Sequence, residues 1–199
     1  MNKNKIICIH GYGKRRGRQF DDLSNAFKGD EFICPDYYDL SKEDGDYKLW
    51  IKRIDALLNK YKEEEIVLIG FSLGALIASR FVKEYGVKKL ILISPALDCD
   101  RFIKIKKENI DPLIPYAYLD EVKKCVDECL VYFRALTIPV SILHSKADEL
   151  IPYQAVLREY EQLSSPKKKL FLFEKGHHTL LDDSKKKEEI IKIIRNELI

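Results

Sequence analysis

No stretch of the 199 residues approaches the roughly 20 consecutive apolar residues of a membrane span. The first apolar run, Ile6-Ile7-Cys8-Ile9, is too short for the core of a secretory leader. A soluble cytoplasmic protein without stable membrane insertion is therefore expected. An excess of one sign of charge is also missing: the net charge is +3 in a chain of which 34% is charged. The whole-molecule field thus makes no case for nucleic acid as a partner. Internal repeats and low-complexity blocks are lacking, and 46% hydrophobic content supports one sizeable core, so a single domain over 1–199 is expected. Cysteines are few and odd in number (Cys8, Cys34, Cys99, Cys125 and Cys129), which suits reduced thiols rather than covalent staples. Cys125 and Cys129 are spaced to share a helical face. With no histidine beside them, they read as small buried hydrophobes rather than metal ligands.

What is present is an alternation of short apolar runs with amphipathic segments. Strands are predicted at Lys5 to Ile9, Glu31 to Cys34, Ile66 to Gly70, Leu90 to Ile93, Pro139 to His144 and Lys169 to Phe173. Helices are predicted over roughly 18–28, around Trp50 to Tyr61, from about Ser72 to Tyr85, and from near Asp183 to the end. Strands that are apolar throughout argue for a parallel sheet covered on both faces, an α/β fold in three layers. The interval 97–137 breaks the rhythm. It is expected to form a small helical lid over the reactive edge, or else an ordinary crossover helix with a long lead.

The sequence Gly70-Phe71-Ser72-Leu73-Gly74 lies between a strand-length apolar run and a segment of helical spacing. A turn that short must reverse the chain sharply, and glycines on either side let strand and helix pass close. Ser72 would then sit on a strained corner with its hydroxyl exposed. Serine needs an imidazole to take its proton, and the imidazole needs an acceptor to fix its tautomer. Ser72, Asp148 and His177 each follow a different strand, and in a parallel sheet such turns share one edge.

With these residues in place, the chain resembles the α/β-hydrolase superfamily. The resemblance is carried by Ile9-His10-Gly11-Tyr12-Gly13, the Ser72 turn, Ala147-Asp148-Glu149-Leu150-Ile151-Pro152 and Gly176-His177. It implies a carboxylesterase, lipase or thioesterase acting on a small-molecule ester or thioester, with no metal or organic cofactor. It implies an acyl-enzyme on Ser72 and an oxyanion hole from the Leu73 and Tyr12 amides. The chain departs from the family in that the glycine turn comes straight after the first strand, without the antiparallel strands that begin larger members, so a reduced sheet of about six strands is expected. Gly13 is the alternative donor if the loop is shifted. The family's glycine-then-base spacing favours His177, leaving His178 at the rim; Glu149 and Asp98 compete with Asp148 as the acid. His10 and His144 read as structural, and Asp36-Tyr37-Tyr38-Asp39 as a loop near the rim. Lys14, Arg15, Arg16 and Arg18 form either a cationic lip for anionic substrates or a solvated loop.

Rival readings exist. Gly11, Gly13 and Gly17 after the first strand suggest dinucleotide binding, but the spacing departs from the standard fingerprint. A catalytically idle scaffold that binds a partner protein through 97–137 is the other.

Overall fold

The computed structural model describes residues 4–13, 16–38, 45–108 and 116–198. Six strands, β1 (Lys5–Ile9), β2 (Glu31–Ile33), β3 (Ile66–Phe71), β4 (Val87–Ile93), β5 (Val140–Ser145) and β6 (Lys168–Phe173), form one sheet in the order β2-β1-β3-β4-β5-β6. Every neighbouring pair is parallel, with Ile9 opposite Gly70 and Phe71 opposite Ile93 in the centre. The expected α/β architecture is therefore the one observed.

The side-chain alternation of a strand divides the core in two. Ile7, Ile9, Leu68, Leu90, Leu92 and Ile142 pack with α2 (Tyr47–Leu58), α3 (Leu73–Arg80), α5 (Tyr116–Arg134) and α6 (Tyr153–Gln162). Ile6, Cys8, Val67, Ile69, Ile91 and Leu143 pack instead with α1 (Asp21–Ala26) and α7 (Ser184–Glu197). β3 is buried along its whole length, and β4 from Leu90 onward, because both faces of the sheet are covered there. Cys125 and Cys129 lie on the inward stripe of α5 and are fully buried, as small hydrophobes are.

Several boundaries differ from expectation. The first predicted helix is a 3₁₀ turn, Arg16–Phe20, leading into the short α1. Helix α3 stops at Arg80 rather than running to Tyr85. Helix α6, which follows Pro152, was not expected; its stripe of Ala155, Val156 and Glu159 is buried against the core. In the 97–137 interval, α4 (Asp100–Glu108) precedes α5, while Pro112, Ile114 and Pro115 lie outside the described residues. Asp183 caps α7 by accepting from the Lys185 amide at 2.9 Å.

Because all strands run the same way, the turns after β1, β3, β5 and β6 emerge along one edge. That edge carries Gly11, Ser72, Asp148 and the two adjacent histidines.

Candidate active site

Ser72 caps α3 with φ 52° and ψ −117°, a left-handed conformation rare for a residue with a side chain. Its backbone is held on both sides: the amide donates to Ile93 O at 3.0 Å, and its carbonyl accepts from Ala75 N and Ala96 N. Tight packing explains the flanking glycines. A Cβ on Gly70 would run into the backbone of Ala75, and one on Gly74 into the carbonyl oxygens of Ile9 and His10. The strained corner inferred from the sequence is thus present, with Ser72 Oγ free to face the edge.

The imidazole that meets Ser72 belongs to His178, not His177. His178 Nε2 lies 2.9 Å from Ser72 Oγ, and its Nδ1 lies 2.8 Å from Asp148 Oδ2. His177 points outward, 82% exposed, with Nδ1 3.6 Å from a Glu149 oxygen. The reason is local. Gly176 adopts φ 133° and turns the chain before the histidines. Its carbonyl accepts from Ser145 Oγ at 2.7 Å, and the next anchor, the His178 amide, donates to Glu149 Oε2 at 3.0 Å. These ties project the second side chain inward, where it packs at 5.3 Å from the Phe71 ring.

Asp148 is the acid beside that imidazole. Its Oδ1 accepts from the Leu150 and Ile151 amides at 2.9 and 2.8 Å, leaving Oδ2 for His178. Burial by itself pushes this carboxyl up, but the bonds from His178 and Ile151 outweigh it and hold it below its ordinary value. An ionised carboxylate only accepts, so His178 Nδ1 carries the proton and Nε2 is left as the acceptor for the Ser72 hydroxyl. Glu149 meets the His178 backbone and the exposed His177 ring rather than the His178 imidazole, and Asp98 accepts from Asp100 N and lies 3.9 Å from Arg158. Behind Asp148, His144 is buried and donates from Nε2 to Ile151 O at 3.1 Å; burial lowers its pKa and keeps it neutral. That is the structural role expected of it.

The turn after β1 is braced from below by residues whose part was not foreseen. Tyr38 Oη accepts from Gly13 N at 2.6 Å and sits 2.9 Å from Gly11 O; Tyr37 Oη donates to His10 O at 2.8 Å; Gln19 Oε1 accepts from Gly11 N at 2.9 Å. Tyr37 and Tyr38 are buried beneath the loop rather than at the rim, with His10 stacked on Tyr37 at 4.3 Å. Two aromatic residues following Pro35 were the available signal. With Gly13 N engaged by Tyr38, Gly13 is removed as an amide donor. Among the described residues, the Tyr12 and Leu73 amides donate to no protein acceptor. A dinucleotide reading does not fit this turn, since Gly11 packs against Phe71 and Ser72 and its amide is already bonded.

A cavity of about 280 Å³ opens beside Ser72. Cys99, Phe102 and Val122, from the 97–137 interval, wall one side, and Gln19, His178 and Thr179 border another. Burial pushes the Cys99 thiol up to about 11, so it stays protonated and unreactive near neutrality. Lys14 and Arg15 of the basic run lie outside the described residues. Among the described residues, no helix is long and apolar enough to cross a membrane.

Residues 5–194 match the model of an uncharacterised protein family, UPF0227. The palmitoyl-protein thioesterase ABHD10, mitochondrial, of Mus musculus is 26% identical over 209 residues, which cover 90% of this chain. The chain spans 65% of that relative's length. The solved structure of the mouse alpha/beta hydrolase domain-containing protein 10 superposes with a TM-score of 0.74 at 22% identity, covering 96% of this chain and 88% of the other. The esterase EaEST from Exiguobacterium antarcticum gives a TM-score of 0.77 at 18% identity, covering 97% and 91%. The fold is that of the α/β hydrolases.

Proposed function

The chain belongs to the uncharacterised protein family UPF0227, and we propose that it is a serine hydrolase cleaving a carboxylic ester or thioester of a small or short-acyl substrate. The observation that carries this reading is the hydrogen-bonded run from Ser72 Oγ through His178 to Asp148 Oδ2. The thioesterase and esterase among its relatives and structural neighbours support the same class of reaction.

In this mechanism His178 Nε2 takes the proton from Ser72 Oγ as the oxygen attacks the acyl carbonyl. The carbonyl oxygen becomes an anion, met by the Leu73 and Tyr12 amides. Leu73 opens α3, so the positive end of the helix faces the same charge. Asp148 stabilises the imidazolium and holds its tautomer. His178 then returns the proton to the leaving alcohol or thiol, and water, activated by the same imidazole, releases the acid from the acyl-enzyme. The cavity of about 280 Å³ suits a short acyl chain. Free cysteines, five in all, suit a reducing compartment such as the cytoplasm.

A fluorophosphonate probe tests the nucleophile directly. Native protein should be labelled and should hydrolyse p-nitrophenyl acetate and butyrate; Ser72→Ala should do neither. Equal labelling of Ser72→Ala overturns the assignment. Neither labelling nor turnover of the native chain favours the idle scaffold instead.

A further inference from the structure

The cavity beside Ser72 is lined from both faces of the sheet. Cys99 and Val122 belong to the apolar cluster that packs with α2, α3 and α5, and Phe102 packs against it. Gln19, His178 and Thr179 come from the other face of the sheet. Phe20, next to Gln19, shares a core cluster with Leu180 and Leu181, which directly follow Thr179. In the proposed mechanism His178 must hand its proton to the departing atom, so the leaving group lies against the His178 and Gln19 wall. The acyl chain then takes the wall of Phe102 and Val122.

On the His178 side, where the Phe71 ring also lines the cavity, Gln19 is held in one orientation. Its side chain meets the Gly11 amide at 2.9 Å, and an N–H can bond only to the carbonyl oxygen of the side-chain amide, which fixes that oxygen as Oε1. The Nε2 group therefore points away from Gly11. Among the described residues it has no protein partner, although Gln19 borders the cavity. A donor that loses water when substrate enters must be bonded again or costs affinity.

We infer that Gln19 is a specificity-determining residue whose Nε2–H donates to an oxygen acceptor in the leaving group, selecting esters or thioesters with a polar leaving group over plain alkyl ones. This rests on the reading of Ser72 as the nucleophile. Gln19 thereby couples recognition to the oxyanion turn, because the same amide that reads the leaving group braces Gly11.

The test compares butyl butyrate with 2-methoxyethyl butyrate. The two are alike in length and shape, and the ether oxygen can only accept. Each kcat/KM is divided by that ester's rate with hydroxide, which removes intrinsic reactivity. Native protein should favour the methoxyethyl ester about tenfold, the worth of one good hydrogen bond. Gln19→Glu keeps an acceptor for Gly11 N but sets a carboxylate oxygen against the ether, so its ratio should fall to about one or below. Fluorophosphonate labelling of Ser72 in the variant reports that the site is assembled. A native ratio near one, or a ratio retained in Gln19→Glu, overturns the role of Gln19 alone. If neither ester is cleaved and native Ser72 is not labelled, the hydrolase reading itself falls and takes this one with it.

Discussion

His177 and His178 leave the same turn in opposite directions: one stands 82% exposed near Glu149, and the other closes a bond of 2.9 Å to Ser72 Oγ. Their neighbourhood in sequence makes them a matched pair of controls. His178→Ala should lower kcat/KM for p-nitrophenyl butyrate by at least about 10³-fold, since a serine without its base loses most of its reactivity. His177→Ala removes only an exposed contact and should stay within about threefold of native. The reverse ranking would return the base to His177.

Tyr38 offers a test of the turn proposed to hold the oxyanion, and one that leaves the reacting groups in place. Its hydroxyl accepts from Gly13 N and lies within bonding distance of Gly11 O, so it pins both ends of the peptide run that contains Tyr12. Tyr38→Phe keeps the buried ring beside Trp50 and removes the pin. A donor displaced by a fraction of an ångström should cost on the order of tenfold in kcat, with KM little changed, because the loss is felt at the transition state. Steady-state kinetics on p-nitrophenyl butyrate separates the two constants, and an effect on KM alone would detach Tyr38 from the turn's catalytic geometry.

Gly74 tests how the corner is built. Its Cα faces the carbonyls of Ile9 and His10, so an added methyl must push α3 away from β1. Gly74→Ala should destabilise the fold by about 2 kcal/mol and lower activity with it, as overpacking a filled interior does. Urea unfolding checks the first part. An undisturbed midpoint would mean that helix and strand are less tightly apposed than the glycine suggests.

Much of this site could be read from residue order because its chemistry depends on turns placed after strands. Gly70 and Gly74 mark a corner through what they lack, and Asp148 precedes Leu150 and Ile151, whose amides bind it. The choice between His177 and His178 was not legible. It depends on the φ of Gly176 and on a backbone bond to Glu149, neither of which a one-residue difference in spacing encodes. The burial of Tyr37 and Tyr38 is hidden from the sequence for a related reason. Next to acids they look like surface residues, yet the turn above them needs its carbonyls and the Gly13 amide satisfied from within. Helix α6 is not legible in the sequence because its buried stripe includes Glu159, whose charge is met by Arg134 at 2.7 Å from another helix.

Far from Ser72, Glu197 gives a prediction about stability and pH. Its carboxylate, at the end of α7, meets Lys89 on β4, Lys169 on β6 and Ser141 on β5, clamping three strands to one helix. Burial alone would push this carboxyl up. The bonds from Lys169, Lys89 and Ser141 outweigh it and hold the carboxyl at about 2, against an ordinary value of 4.5. A carboxyl whose folded value is depressed stabilises the fold above its unfolded value, and that contribution fades as the pH falls toward the folded one. Glu197→Gln should therefore cost about 2 kcal/mol near neutrality, the scale of hydrogen bonds to a charged group. The gap between native and variant urea midpoints should hold steady down to about pH 4.5 and narrow as the pH approaches 2. A gap unchanged between pH values of about 5 and 2.5 would show that Glu197 contributes through packing rather than through its charge.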